Sequence, residues 1–457
     1  MVEDKMIKAK NVYIGFGKAA KTLAFRQAQR GESVVVIEKS DQMYGGTCIN
    51  IACIPSKLLY ELSDKPQVGG LKDNYKMAIT KKRSVIGKLR YSNFHKLADQ
   101  KTVKVLNGSA SFVDQHTLNV KYLNGTTEEV VGERIFINTG ATSTIPDIPG
   151  LKESSRTVTS TDLLDQDHFP QSLAIIGGGY IGMEFATTYS QFGSKVTMIN
   201  RNAEFMRGMD QDVSQAVKQN FDKAGIEVLQ SAEVVQVQDQ DSRAVLTVTS
   251  NGRESQITVD TILVATGRKP NIQGLNLDQA GVNYSEAGIT VDDHLKTNVQ
   301  NIWAMGDVRG GAQFTFLSLD DYRIVYNQLY AGGTKTTKEQ VIVPKTIFLM
   351  PPLSQIGMSE KEALDKKIEY RTGKVAVAGM PKAHILGHPN GFYKVLVDKE
   401  DHILGATIYA PEAHEIINII SLAMHANLPY QMLRDQIYSH PTMAEGLNDL
   451  FETIGMD

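Results

Sequence analysis

The sequence predicts an α/β protein, with two doubly wound α/β units followed by a smaller α+β unit. Three observations carry this. A strand–glycine turn–helix–strand grammar occurs twice, over residues 12–37 and 173–199. Further apolar strands end in glycine turns at Thr139-Gly140, Gly267 and Gly306-Asp307. From about Val341 the pattern changes to strands over 392–397 and 403–410 and a helical stretch over 416–426. A chain of 457 residues has room for two or three such cores.

The first repeat reads Val12-Tyr13-Ile14, then Gly15-Phe16-Gly17-Lys18-Ala19-Ala20 and a helix to about residue 29. An apolar strand over 33–37 follows, closed by Glu38-Lys39. The second repeat reads Leu173-Ala174-Ile175-Ile176, then Gly177-Gly178-Gly179-Tyr180-Ile181-Gly182. A helix through 183–192 and a strand over 195–199 complete it. The spacing has a physical reason. The first glycine permits the tight turn, and the second lets the backbone approach a pyrophosphate. The third position, Ala20 or Gly182, must be small so that helix and strand pack closely. The helix start then offers free N–H groups and a partial positive charge to the phosphates. Two copies in this context predict two bound dinucleotides.

Glu38 suits the 2′-hydroxyl of an adenosine ribose. The second repeat has no acid there. It carries Asn200-Arg201 with Arg207 further on, and guanidinium groups suit a 2′-phosphate, which favours NADPH and leaves NADH open. The other reading of both arginines is solvated surface. Gly306 precedes Asp307, an acceptor placed to receive hydrogen bonds from polyol hydroxyls or to close an ordinary turn.

Lys and Arg number 48 against 51 Asp and Glu, a net charge of −3, so no basic surface for nucleic acid is expected. Residues 1–10 are charged and lack the apolar core of a secretory signal, and no apolar run is long enough to span a bilayer. A cytoplasmic location is the expectation.

The only two cysteines stand in Gly45-Gly46-Thr47-Cys48-Ile49-Asn50-Ile51-Ala52-Cys53-Ile54-Pro55-Ser56-Lys57. In a reducing compartment one bridge across so short a loop adds little, so the pair reads as redox-active or metal-binding. No His pair flanks it to complete a zinc site, which favours redox chemistry and no metal. A cysteine near a helix N-terminus has its thiolate stabilised, as reversible exchange requires. At the far end, His440-Pro441-Thr442-Met443-Ala444-Glu445 can form an imidazole–carboxylate pair that relays protons to a thiol.

Over essentially its whole length the chain resembles the pyridine nucleotide–disulfide oxidoreductases, which include glutathione reductase, dihydrolipoamide dehydrogenase and mercuric reductase. The two glycine turns, the Cys48-x4-Cys53 segment, Gly306-Asp307 and the His440–Glu445 ending carry the resemblance. It implies two Rossmann-like dinucleotide-binding domains. An FAD domain over 1–150 and 271–338 would be interrupted by an NAD(P)H domain over 151–270. A dimerisation domain over 339–457 would form a homodimer, with His440 and Glu445 serving the active site of the partner subunit.

The resemblance further makes Cys53 the flavin-proximal sulfur and Cys48 the interchange thiol, with His440 as acid–base and Glu445 orienting it. Lys57 and Glu184 become an ion pair near flavin and nicotinamide, and Tyr180 a gate over the flavin. Gly15, Gly17, Ala20, Glu38, Lys39, Gly46, Thr47, Thr139, Gly140, Gly306 and Asp307 fall to FAD. Gly177, Gly179, Ile181, Gly182, Asn200, Arg201, Arg207 and Gly267 fall to the nicotinamide nucleotide.

Finer runs are similar to a reactive-chlorine-resistance branch of the family. They include Gly15-Phe16-Gly17-Lys18-Ala19-Ala20-Lys21-Thr22-Leu23-Ala24, Gln313-Phe314-Thr315 and Ser318-Leu319-Asp320-Asp321-Tyr322-Arg323. That branch implies reduction of a small oxidant, hypothiocyanous acid first and copper(II) as another. Asn200-Arg201 departs from the acidic strand end of an NADH user, and Ala52 stands where relatives often have glycine, a change expected to be tolerated within a helix. The tail over 449–457 holds no cysteine, which disfavours a mercuric or large thioredoxin reductase. A glutathione or lipoamide reductase, a copper(II) or mercuric reductase and a flavin redox sensor are the competing readings. A single-cysteine peroxide- or oxygen-reducing oxidase is set aside because two cysteines are present.

Overall fold

The computed structural model describes residues 6–65 and 70–455. The first half of the charged 1–10 segment and the last two positions of the 449–457 tail lie outside the described residues.

The first repeat becomes β1 (Ile7–Ile14), α1 (Lys18–Gln29) and β2 (Val34–Glu38). The cysteine segment forms α2 (Thr47–Asn50) and α3 (Cys53–Ser63), and a long α4 (Leu71–Ala98) follows. Next come β3 (Val103–Phe112), β4 (Thr117–Tyr122) and β5 (Thr127–Ile137). β1 runs parallel between β2 and β5, with Tyr13 opposite Val36 on one side and Phe136 on the other. β3 extends the sheet beyond β2 in parallel, while β4 pairs antiparallel with both β3 and β5. Every residue of β2 is buried, as expected for an apolar run covered on both faces.

The second unit has a wholly parallel five-stranded sheet and, over 232–259, a separate three-stranded antiparallel one. The parallel sheet contains β6 (Thr157–Thr159), β7 (Ser172–Ile176), β8 (Lys195–Ile199), β9 (Glu227–Leu229) and β10 (Thr261–Val264), ordered β9-β8-β7-β10-β6. α5 (Tyr180–Gln191) connects β7 to β8 and begins three residues earlier than the expected helix over 183–192. The glycine turn passes straight into it. A Cβ at Gly182 would stand 2.2 Å from the Gly177 carbonyl oxygen, so the first helical turn presses directly on the strand end.

After this unit the chain returns to the first sheet: β11 (Ile302–Ala304) pairs in parallel with β5. α6 (Thr315–Tyr330) follows. A five-stranded antiparallel sheet then carries Phe392–Val397 next to Ile403–Tyr409, with a helix over Ala413–His425 packed against it. No described helix is long and apolar enough to cross a membrane.

Candidate active site

A cleft of about 480 Å³ opens at the carboxyl ends of β1, β2 and β5, where open α/β sheets take their ligands. Gly15, Gly17, Glu38, Lys39, Gly46, Thr47, Thr139, Gly140 and Asp307 all line it, and Cys48 forms part of its wall. Ala20 and Gly306 lie behind that wall. The Ala20 amide donates to Asn138 Oδ1 at 3.2 Å, and the Gly306 amide donates to Asp321 Oδ2 at 2.7 Å. The backbone is packed too tightly for side chains at the turn. A Cβ on Gly15 would lie 2.4 Å from the Asn138 carbonyl oxygen, and one on Gly46 2.7 Å from Gly17 Cα.

Two carboxylates face this cleft, Glu38 buried and Asp307 half-buried. Glu38 accepts from the Phe16 amide at 3.1 Å, and burial raises its proton affinity against that bond. Asp307 is raised by burial too, opposed by the nearby Arg268 guanidinium. A glycine turn at a helix start, a buried and a half-buried carboxylate and the Cys48 sulfur along one cleft fit FAD.

The cysteine segment is not one helix. α2 ends at Asn50, and α3 starts at Cys53 after a break in which Ala52 adopts φ −142° and ψ −101°. The expectation that Ala52 sits within a tolerant helix is corrected: it lies at the break, N-terminal to Cys53. Cys53 thereby becomes the first residue of an 11-residue helix, where free N–H groups favour an anion. Both cysteines are half-buried thiols, and their sulfurs share a hydrogen bond. That bond from Cys48 is the main cause holding Cys53 down to about 6, despite burial. Thr315, 3.4 Å from Cys53 Sγ at the start of α6, and the Lys57 ammonium act in the same direction. The same bond, with burial, pushes the Cys48 thiol up. The two sulfurs are thus driven in opposite directions, Cys53 toward the thiolate and Cys48 toward the thiol.

Lys57, one turn along α3, pairs with Glu184 Oε2 at 2.6 Å. Glu184 Oε1 also accepts from the Phe348 amide at 3.1 Å, and the Lys57 ammonium lies 4.7 Å from the centre of the Phe348 ring. Three parts of the chain therefore fix this ion pair. Tyr180 and Ile181 open α5 and pack partly buried against the core beside it. Gly177 must be glycine: its φ is +118° and a Cβ would meet the Ala265 carbonyl oxygen at 2.4 Å. Gly179 caps α5, and Gly267, at φ +121°, accepts from the Thr144 amide through its carbonyl oxygen.

Asn200 is buried at the end of β8, and its side-chain amide donates to the carbonyls of Asn202 and Glu204. It shapes the following loop from within. Buried Phe205 and Met206 anchor that loop, while Arg201 and Arg207 stand exposed on either side. His440 Nδ1 meets Glu445 Oε2 at 2.8 Å, and Glu445 is held below the usual carboxylate range by that contact. The His440 side chain is 70% exposed. Among the described residues it makes no hydrogen bond or ion pair with either cysteine of its own chain.

Sequence reading missed four supports of this site. Asn138 ties the start of α1 to the chain before Asp307, since its amide also donates to the Met305 carbonyl. Thr315 touches the Cys53 sulfur. Arg268 lies near Asp307 and Cys53. Asp321, fully buried, takes both Arg309 Nε and Nη2 at 3.0 Å and so braces the Gly306-Asp307 turn. The only advance signal was a polar residue inside or beside an apolar run. Among the described residues no group of three or more His, Cys, Asp or Glu side chains gathers as a metal site.

The pyridine nucleotide-disulphide oxidoreductase family matches residues 10–326, and that family's dimerisation domain matches residues 343–451. The probable pyridine nucleotide-disulfide oxidoreductase RclA of Escherichia coli K12 is 42% identical, over 98% of this chain and 100% of its own. The dihydrolipoyl dehydrogenase of Geobacillus stearothermophilus is 31% identical over 97% of this chain and 96% of its own. The mercuric reductase of Bacillus cereus is 32% identical over 95% of this chain but 70% of its own. A solved Cu(II) complex of the HOCl-induced flavoprotein disulfide reductase RclA from Escherichia coli superposes with a TM-score of 0.93. It is 40% identical, covering 97% of this chain and 99% of that one. With a glycine-turn cleft, a thiol–thiolate pair and relatives along its full length, the chain belongs to the pyridine nucleotide-disulphide oxidoreductases, the NAD(P)H-dependent flavoprotein enzymes.

Proposed function

We propose that this enzyme uses NADPH to reduce a small oxidant, hypothiocyanous acid, through Cys48 and Cys53, in defence against reactive chlorine species. The observation that carries the reading is the hydrogen-bonded sulfur pair, with Cys48 on the cleft wall and their shared bond driving Cys53 toward the thiolate and Cys48 toward the thiol. The similarity to a reductase described as HOCl-induced supports the class of oxidant.

Glu38 and Asp307 would hold the adenosine ribose and ribityl hydroxyls, and the Gly15–Gly17 turn the pyrophosphate. Bound FAD supplies two-electron transfer from the nicotinamide to the disulfide. Lys57 and Glu184 orient and neutralise charge beside that exchange, and Tyr180 covers the approach from the second glycine turn. Arg201 and Arg207 offer paired donors to a 2′-phosphate.

At the sulfurs, Cys48 loses its proton and attacks the sulfur of hypothiocyanous acid. A sulfur–sulfur bond forms, the sulfur–oxygen bond breaks, and the departing hydroxide takes the proton to leave as water. The Cys53 thiolate then attacks Cys48 Sγ, the disulfide forms and thiocyanate departs, so two electrons pass to the oxidant. His440, oriented by Glu445, moves the proton from the partner subunit, which makes the homodimer through residues 339–457 part of the proposal. The domain limits 1–150 with 271–338, 151–270 and 339–457, and a cytoplasmic location, belong to the same reading.

The test is steady-state NADPH and NADH oxidation by FAD-loaded protein with hypothiocyanous acid, glutathione disulfide, lipoamide and copper(II) in parallel. Turnover concentrated on hypothiocyanous acid with NADPH supports the reading. Preferential turnover of glutathione disulfide, lipoamide or copper(II) overturns the substrate.

A further inference from the structure

Lys21 is a partly buried cation with no carboxylate beside it. On α1, its ammonium donates to Asn93 Oδ1 of α4 at 2.6 Å and to the Gly45 carbonyl at 3.3 Å, both neutral acceptors. Among the described residues no ion pair reaches it. The charged and titratable groups acting on it are Lys18 on its own helix and Lys96 on α4, which repel it, and Cys48 on α2, which attracts it. Burial first, and then these two lysines, lower its proton affinity to about 8. A desolvated ammonium among like charges is costly, and the cost falls when an anion forms nearby. The group that can supply that anion is the Cys48 sulfur, three residues along the chain from Gly45, whose carbonyl tethers Lys21.

We propose that Lys21 is a positioning residue for the interchange sulfur, a fixed counter-charge that stabilises the Cys48 thiolate as it forms. The two sulfurs then have separate cations: Lys57 serves Cys53, and Lys21 serves Cys48. The arrangement offsets a specific difficulty. Burial and the bond to Cys53 hold the proton on Cys48, yet attack on an oxidant needs it gone. Asn93 grips the ammonium without neutralising it, so its charge stays available to the sulfur. An interaction that strengthens only as the thiolate develops favours the attack over the resting state. The assignment rests on the reading of Cys48 as the attacking thiol.

The experiment follows iodoacetamide alkylation of Cys48 and Cys53 separately, by peptide mass spectrometry, in the reduced holoenzyme across pH. Lys21→Met is expected to raise the Cys48 midpoint by about one pH unit, a roughly tenfold slower alkylation at neutral pH. Asn93→Asp keeps the lysine but gives it a carboxylate, and should move Cys48 the same way. Lys21→Arg should restore most of the shift, and the Cys53 midpoint should change far less in every variant. An unchanged Cys48 midpoint in Lys21→Met, or in Asn93→Asp should the first variant fail to fold, overturns the proposal. No oxidant enters this measurement, so it fails separately from the interchange reading, which oxidant turnover by Cys48→Ser decides.

Discussion

Thr315→Val tests what stabilises the Cys53 thiolate. The hydroxyl lies 3.4 Å from Cys53 Sγ, and valine keeps the shape while removing the donor. A hydrogen bond to a charged group contributes about 1.5–3 kcal/mol, and a long contact to sulfur belongs at the low end of that range. At about 1.4 kcal/mol per pH unit, Cys53 should rise by about one unit. It starts near 6, so it should then titrate near neutrality. The sign is fixed by the charge: losing a donor to the anion favours the thiol, so the thiolate now disappears earlier as pH falls. At pH about 6.5 the thiolate fraction should drop from roughly three quarters to roughly one quarter. The assay is thiolate ultraviolet absorbance of the anaerobically reduced protein against pH, with Cys53→Ser as background. Thr315→Ser retains the hydroxyl and should titrate like the parent. An unchanged midpoint in Thr315→Val, or an equal shift in Thr315→Ser, refutes the argument.

Asp321→Asn removes the buried charge that holds Arg309 and the Gly306 amide, and should cost about 3 kcal/mol in urea unfolding together with weakened flavin retention. Gly46→Ala forces a Cβ to 2.7 Å from Gly17 Cα at φ +79°, and the purified variant should carry little flavin by absorbance. Doubling Arg201→Ala with Arg207→Ala should raise the KM for NADPH about tenfold and leave that for NADH nearly constant, if both arginines bind a 2′-phosphate. Cys48→Ser and His440→Ala homodimers should each be nearly inactive. Mixed dimers should recover activity, because one of their two sites pairs an intact cysteine with an intact histidine; no recovery in verified mixed dimers would place the histidine in its own chain's site.

Local physics made much of this molecule legible in the sequence. Glycine turns announce themselves because backbone contacts exclude a Cβ, and Gly15 and Gly177 each sit within 2.4 Å of such a clash. The buried strands read directly from their β-branched runs. What stayed hidden was long-range or lacked local punctuation. Thr315 and Cys53 are 262 residues apart, and a threonine opening a helix looks like any other. No glycine or proline marks the break at Ile51-Ala52, so two helices read as one. The bonds by which the Asn200 side chain shapes its own loop are likewise not revealed by spacing alone.

The proton inventory supports the proposal that two subunits share each site. A reduced pair with its thiolate on Cys53 leaves a single proton, held on Cys48 by burial and by the bond between the sulfurs. Attack on an oxidant requires a base for that proton. Lys57 is committed to Glu184, and the Lys21 ammonium has no lone pair to accept with. Thr315 acts on Cys53 as a hydrogen-bond partner and not as a proton acceptor at neutral pH. His440 has the right chemistry, since Glu445 occupies Nδ1 and leaves Nε2 to exchange protons. Its side chain nevertheless points largely to solvent in its own chain, without contact to the sulfurs among the described residues. An oriented, exposed imidazole on a domain of the dimerisation type is what a second subunit's cleft would need, which supports the proposed two-subunit site.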